Sequence, residues 1–332
     1  MLLRCASLVA AACVLAAQNE PPRIRVQVDE VIVPVTVTDD KGRFVSDLDV
    51  NDFRIFDEGR EQKVRYFSRD PSQPVVVGFL VDLSNATRIH WKNYQDAAQE
   101  LILGLLPGNP KFSGYLISYS NEAELAVNTT HDPEKLLEKL RRMKPGGGAA
   151  FFDAIWKACT TRSLVKGEPY EPRRALIVIG DGHDTASKKS FDEVLEIAQR
   201  NLVTIYAVST MAYGFAAEGD KTLRRLAEET GGRVEYPLNS LYKDVSGYLS
   251  TPSDEGNYAL KVGTGGYAAE VAQGIFRSIQ GISGEITTQY ILRYIPDVGD
   301  DTNKVYRNIR VEVNNLPNVR IRARKGYYPD KP

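Results

Sequence analysis

The chain is poor in the features that mark several protein classes. Its 332 residues include only three cysteines, and two of them, Cys5 and Cys13, fall in the first apolar stretch. Cys159 alone follows that stretch, which excludes an internal disulfide for the remainder. It lies in a helix-like run with Ala154, Ile155 and Ala158 and has no visible activating neighbour, the pattern of a buried structural thiol. The formal net charge is −1, so no polyanion-binding surface is implied and a nucleic-acid partner is not expected. The one basic alternation, Arg320, Arg322, Arg324 and Lys325 among Val319, Ile321 and Ala323, reads as a solvated sheet face. No GxxxxGK[ST] and no strand-linked GxGxxG occurs, which removes the usual nucleotide cradles. No run reaches the ~20 apolar residues that crossing a bilayer requires.

What is present begins with a leader. Met1 to Arg4 form a short basic start, Cys5 to Ala17 are apolar or small, and Gln18-Asn19-Glu20 follow. This matches a secretory signal over residues 1–17, cut near Ala16 or Ala17. A lipid-bearing Cys13 would need a leucine-like residue before it, where Ala10-Ala11-Ala12 stands. The expectation is an exported chain, periplasmic or secreted, whose mature part has no transmembrane segment.

Two grammars then alternate. Residues 22–70 read as all β: Ile24 to Val28, Val31 to Val37, Phe53 to Phe56 before the turn Asp57-Glu58-Gly59, and Lys63 to Phe67. Pro34 within the second run predicts an edge position. From residue 74 to 284 the pattern is β-then-α. Val75 to Val81 and Ala175 to Ile179 are unbroken apolar runs, as in parallel strands buried on both faces. Tyr94, Ala97, Ala98, Leu101 and Leu105 recur at helical spacing, and Tyr115 to Tyr119 and Val203 to Val208 read as strands. Asp132 with Pro133 and Ser190 with Glu193 open helices, and Gly231-Gly232 closes one. Residues 237–266 read as a loop insertion, and Ala268 to Ile282 as a helix. The tail, 285–328, returns to β over Thr287 to Ile295, Val305 to Val313 and Val319 to Tyr327. The predicted fold is α/β: a doubly wound, mostly parallel, Rossmann-like sheet inserted in a sandwich-like all-β domain that both termini build.

Ligands of such sheets gather at the carboxyl ends of the strands. There stand Val81-Asp82-Leu83-Ser84-Asn85-Ala86, Ile179-Gly180-Asp181-Gly182-His183-Asp184, and the turn Pro145-Gly146-Gly147-Gly148-Ala149-Ala150. Two carboxylates and a hydroxyl could organise a hard divalent cation such as Mg²⁺, which takes about six oxygens, several of them water. The blander readings are a helix cap for Ser84, turn hydrogen bonds for Asp82 and close packing for the glycines.

In their order and spacing these segments resemble the metal-ion-dependent adhesion site of the von Willebrand factor type A fold. The whole chain after the leader is similar to the exported VWFA-related proteins abundant in Acidobacteria. Further matching pieces are Val35-Thr36-Val37-Thr38-Asp39, Asp52 to Gly59, Glu229-Thr230-Gly231-Gly232-Arg233, Gln289 to Pro296, and Arg324-Lys325-Gly326-Tyr327-Tyr328. The resemblance implies binding or adhesion, with Asp82, Ser84 and Asp181 as metal ligands. It also exposes a departure: Ala86 and Ala149 stand where the family pattern has a Ser and a Thr. Two oxygen ligands are therefore missing, with Asn85, Thr87, Asp153 and Asp184 as possible substitutes.

The expectation is a non-catalytic binding protein with a degenerate metal site. Its rim of Asp82, Ser84, Asn85, Gly147, Gly148 and Asp181 would meet a protein or peptide partner. Two alternatives remain. One is a structural or assembly protein of the cell envelope acting through its β domain. The other is a hydrolase using Ser84 and His183, for which no GxSxG elbow is present. His90 and His131 read as surface residues.

Overall fold

The computed structural model describes residues 30–70, 72–88, 91–164, 172–210, 217–237, 265–297, 305–314 and 316–329. The expected leader, the Ile24 to Val28 strand, His90 and all but the ends of the 237–266 insertion lie outside them. Among the described residues no helix is long and apolar enough to cross a membrane.

The opening segment supplies β1 (Val31–Thr38), β2 (Phe53–Asp57), β3 (Arg60–Gln62) and β4 (Val64–Ser68). The middle supplies β5 (Val75–Asp82), α1 (Trp91–Leu105), β6 (Phe112–Tyr119), β7 (Ala123–Thr130), α2 (Pro133–Arg141), α3 (Phe151–Thr160), β8 (Arg173–Gly180), α4 (Phe191–Arg200), β9 (Val203–Ser209), α5 (Ala217–Thr230) and β10 (Val234–Glu235). A long α6 (Gly265–Thr288) leads into β11 (Tyr290–Tyr294), β12 (Arg307–Val313), β13 (Arg320–Ala323) and β14 (Gly326–Tyr327).

The central sheet runs β10-β9-β8-β5-β6-β7, with every pairing parallel except β6 with β7. All eight residues of β5 are buried, and the strand splits its side chains between two cores. Val75, Val77, Phe79 and Val81 pack toward α1, α2 and α6, while Val76 and Leu80 pack toward α3, α4 and α5. Burying one such Val or Leu stabilises the fold by roughly 1.5–3 kcal/mol. β5 connects through α1 to β6 on one side, whereas β8 connects through α4 to β9 on the other. The carboxyl ends of β5 and β8 thus form the switch point, the crevice position at which open α/β sheets gather ligands.

The termini build two further antiparallel sheets, β13-β1-β11-β4 and β14-β12-β2-β3. Val33, Val35 and Val37 of β1 meet Phe53 and Ile55 of β2, Tyr290 and Leu292 of β11, and Ile309 of β12 in one core, which makes a sandwich. Buried Asp57 ties its sheets together by accepting from Arg307 Nε at 2.8 Å and from the Tyr294 and Tyr327 hydroxyls at 3.0 and 2.9 Å. Arg173 pins both linkers of the inserted unit. Its guanidinium donates to the carbonyls of Asp70 at 3.0 Å, Ile286 at 2.5 Å and Gln289 at 3.3 Å.

Four expectations need correction. First, β1 is interior rather than an edge. Pro34 is tolerated because β13 reaches only Val35 to Thr38, which leaves one flank of the strand open beside Pro34. Second, Thr287 and Thr288 end α6 instead of starting a strand. Their hydroxyls donate back to the Ser283 and Gly284 carbonyls inside the helix. Third, the stretch read as one strand from Val319 breaks after Ala323, and its two pieces join different sheets. Fourth, the basic run is a solvated face only in part: Arg320 and Lys325 are exposed, but Arg324 is buried and Arg322 pairs with fully buried Glu285.

Candidate functional site

The crevice is assembled from loops that β5, β6 and β8 deliver to one edge. Asp82 closes β5 with its backbone fixed on both sides. Its N–H donates to the Tyr94 hydroxyl at 2.8 Å, and that hydroxyl donates to the Ile179 carbonyl, locking α1 to β5 and β8. The chain then turns through Ser84 into a short 3-10 turn, Asn85–Thr87. The Asn85 amide donates to Gly147 O at 3.0 Å and the Gly146 amide to Leu83 O at 2.6 Å, so the glycine turn is stitched to the end of β5. Gly147 adopts φ of 96°, a conformation that favours glycine.

Asp82 is fully buried. Its Oδ1 accepts the Ser84 amide at 2.7 Å, whereas its buried Oδ2 has no hydrogen-bond partner among the described residues. Burial pushes the carboxyl from 3.8 up to about 6, and the Asp181 charge adds to the rise, while the amide and hydroxyl of Ser84 oppose it. Ser84 is buried as well. Its side chain makes no cap to the following turn, so capping does not explain it.

Asp181 follows β8. Its Oδ1 accepts the His183 amide at 3.0 Å, and its Oδ2 lies 3.2 Å from His183 Nδ1. Among the described residues no hydrogen bond joins His183 to Ser84, because the imidazole is turned to Asp181. The loop beyond it caps α3: Thr185 Oγ1 accepts the Ala149 amide at 2.9 Å, Asp184 the Phe152 amide at 3.1 Å, and Ser187 the Asp153 amide at 3.0 Å. Asp153 in turn accepts the amides of Lys188 and Lys189.

The six predicted rim residues therefore come together at one edge, although Asp82 and Ser84 lie beneath its surface while Asn85 is exposed. Three residues of the site were not singled out from the sequence. Asn121 holds the glycine turn by accepting the Gly148 amide at 2.7 Å, and Thr185 secures the next residue. Tyr119 is paired in register with Asp82 on the strand beside it. Asn121 sits in the β6–β7 turn, remote from every motif, and only the three-dimensional register reveals it.

Gly180 marks how closely this edge is packed. A Cβ there would stand 2.6 Å from the Tyr119 hydroxyl and 3.5 Å from Asp82 Oδ2. Gly180→Ala is therefore expected to force the buried Tyr119 ring aside and cost about 1–3 kcal/mol. A melting temperature equal to that of the wild type would show that the crevice floor yields freely.

Against known proteins, residues 77–242 match the family model of the von Willebrand factor type A domain. No curated protein matches the chain. Among solved structures the chain is similar to BatB from Bacteroides thetaiotaomicron, at 18% identity and a TM-score of 0.39, covering 48% of this chain and 88% of that one. Proximal thread matrix protein 1 from the mussel byssus is 15% identical with a TM-score of 0.41, over 54% of this chain and 47% of that one. The vWF domain of the type V pili tip protein Mfa5 from Porphyromonas gingivalis is 21% identical with a TM-score of 0.31, over 34% and 39% of the two chains.

Proposed function

The chain belongs to the von Willebrand factor type A domain family, and we propose that it is an exported binding protein, not an enzyme. In this reading the carboxyl edge of its central sheet engages a protein or peptide partner. One observation carries it: a fully buried carboxylate, Asp82, keeps an unpartnered oxygen at the floor of the crevice. Packing alone gives no reason to keep such a group, since burying an unpaired carboxylate opposes folding. The rim around it comprises Ser84, Asn85, Gly147, Gly148 and Asp181, held by Asn121 and Thr185. The adhesion site is degenerate, retaining Asp82, Ser84 and Asp181 but carrying Ala86 and Ala149. The non-catalytic reading is supported by His183, which stands beside Asp181 and, among the described residues, makes no hydrogen bond to Ser84. The basic start and apolar leader support export.

A second reading, assembly through the sandwich, is favoured by one feature. Tyr66 on edge strand β4 is 44% exposed and Val305 beside β12 is 73% exposed. Affinity capture from the cells that make the protein separates the two. Asn85→Arg should abolish capture of the partner while Tyr66→Glu leaves it intact. The reverse result would transfer the function to the sandwich.

A further inference from the structure

The family pattern calls for a cation held by five protein groups, and this crevice does not offer them. Ala86 and Ala149 present methyl groups, and Ala149 is buried. Three of the four residues that could stand in are committed elsewhere, and the fourth, Asn85, is exposed. Thr87 Oγ1 donates to the Ser84 carbonyl at 3.0 Å, Asp184 caps α3, and Asp153 caps the 188–189 turn. Among the described residues, no three His, Cys, Asp or Glu side chains are grouped to hold a metal ion.

The decisive change lies at Asp181. Both of its oxygens face one residue of the same loop: the His183 amide at 3.0 Å and the His183 imidazole at 3.2 Å. The imidazole Nδ1 stands beside the Asp181 carboxylate and forms an ion pair with it when the ring is protonated. The loop is seated firmly. A Cβ on Gly182 would stand 2.3 Å from the Gly219 carbonyl, and one on Gly219 would stand 3.0 Å from His183 Nδ1. Two facing glycines thus let the loop press against α5 and bring the ring onto Asp181. What remains for a cation is Asp82 Oδ2, the Ser84 hydroxyl and the exposed Asn85 side chain, against the six or so oxygens that Mg²⁺ or Ca²⁺ takes.

We infer that His183 replaces the cation as the partner of Asp181, so that this rim engages its own partner without a divalent metal. The inference rests on the rim reading above but fails separately from it. Rim substitutions that leave capture unchanged overturn the rim reading, whereas metal titration alone decides this one.

The test is calorimetric titration of the chelator-stripped mature chain with Mg²⁺, Mn²⁺ and Ca²⁺. The wild type should give no saturable binding up to millimolar metal. Ala86→Ser with Ala149→Thr restores two hydroxyls, and adding His183→Ala should then raise affinity by about tenfold or more. Saturable wild-type binding that Asp82→Asn abolishes would overturn the inference. So would a double variant that binds as tightly as the triple, since His183 would then be irrelevant. His183→Gln in the same background serves if the alanine variant loses its cooperative melt.

Discussion

Asp82→Asn should make the protein more stable at neutral pH, by about 2 kcal/mol. The wild-type carboxylate is fully buried, and its Oδ2 has no hydrogen-bond partner among the described residues. Raising its pKa from 3.8 to about 6 corresponds to about 3 kcal/mol of penalty on the ionised form. Asparagine keeps an acceptor for the Ser84 amide and removes the charge. Its new amide donor needs an acceptor in the same space, which offsets roughly 1 kcal/mol of the gain.

The sign of the pH dependence follows from the same shift. The folded state holds the Asp82 proton up to about pH 6, whereas the unfolded chain releases it near 3.8. Between those values the native protein binds more protons, so wild-type stability falls as pH rises through 6. The advantage of Asp82→Asn should be full above pH 6 and shrink away as pH falls toward 4. Urea unfolding at pH 7 and pH 4 measures both ends. Equal stability of the two proteins at pH 7 would mean that a counter-charge reaches Asp82 in solution.

The parts of the fold that were legible in the sequence are those where one physical cause dominates. The unbroken apolar runs of β5 and β8 announced strands buried on both faces, and the capping box at Ser190 and Glu193 is present as read. Edge strand β7 went unread because Ala123 to Thr130 are mostly half-buried and carry no continuous apolar run. The Asp82, Ser84 and Asp181 frame was legible because its residue types and strand ends are local features. The engagement of Asp181 by His183 was not, although the two are only two residues apart. It depends on Gly219, a residue on a helix that local pattern does not bring near the loop. The basic alternation near Arg322 misled for a related reason. A period of two shows which residues share a face, but it does not say what covers that face.

What covers it is the joint between the two units, and there the largest loss is expected. Glu285, near the end of α6, is fully buried; its Oε1 contacts Arg233 Nη1 at 3.1 Å and also pairs with Arg322 of β13. Burial nevertheless raises the Glu285 pKa, so its two guanidinium partners do not fully offset its desolvation. Removing the carboxylate alone relieves that strain but leaves Arg322 without its acidic partner, and arginine does not shed its charge. Glu285→Ala is therefore expected to cost about 3 kcal/mol. Arg233 differs, because Glu235 stands 2.6 Å from its Nε and can keep it paired. Glu285→Met combined with Arg322→Met should consequently recover most of the loss, since apolar groups of similar volume need no counter-charge. A double-mutant cycle built on Glu285→Met, Arg322→Met and their combination, followed by urea unfolding, reads the coupling directly. If Glu285→Ala left stability unchanged, or the double variant were no better than the single, the joint would be held by its apolar contacts. The rim's orientation to the sandwich would then owe nothing to this ion cluster.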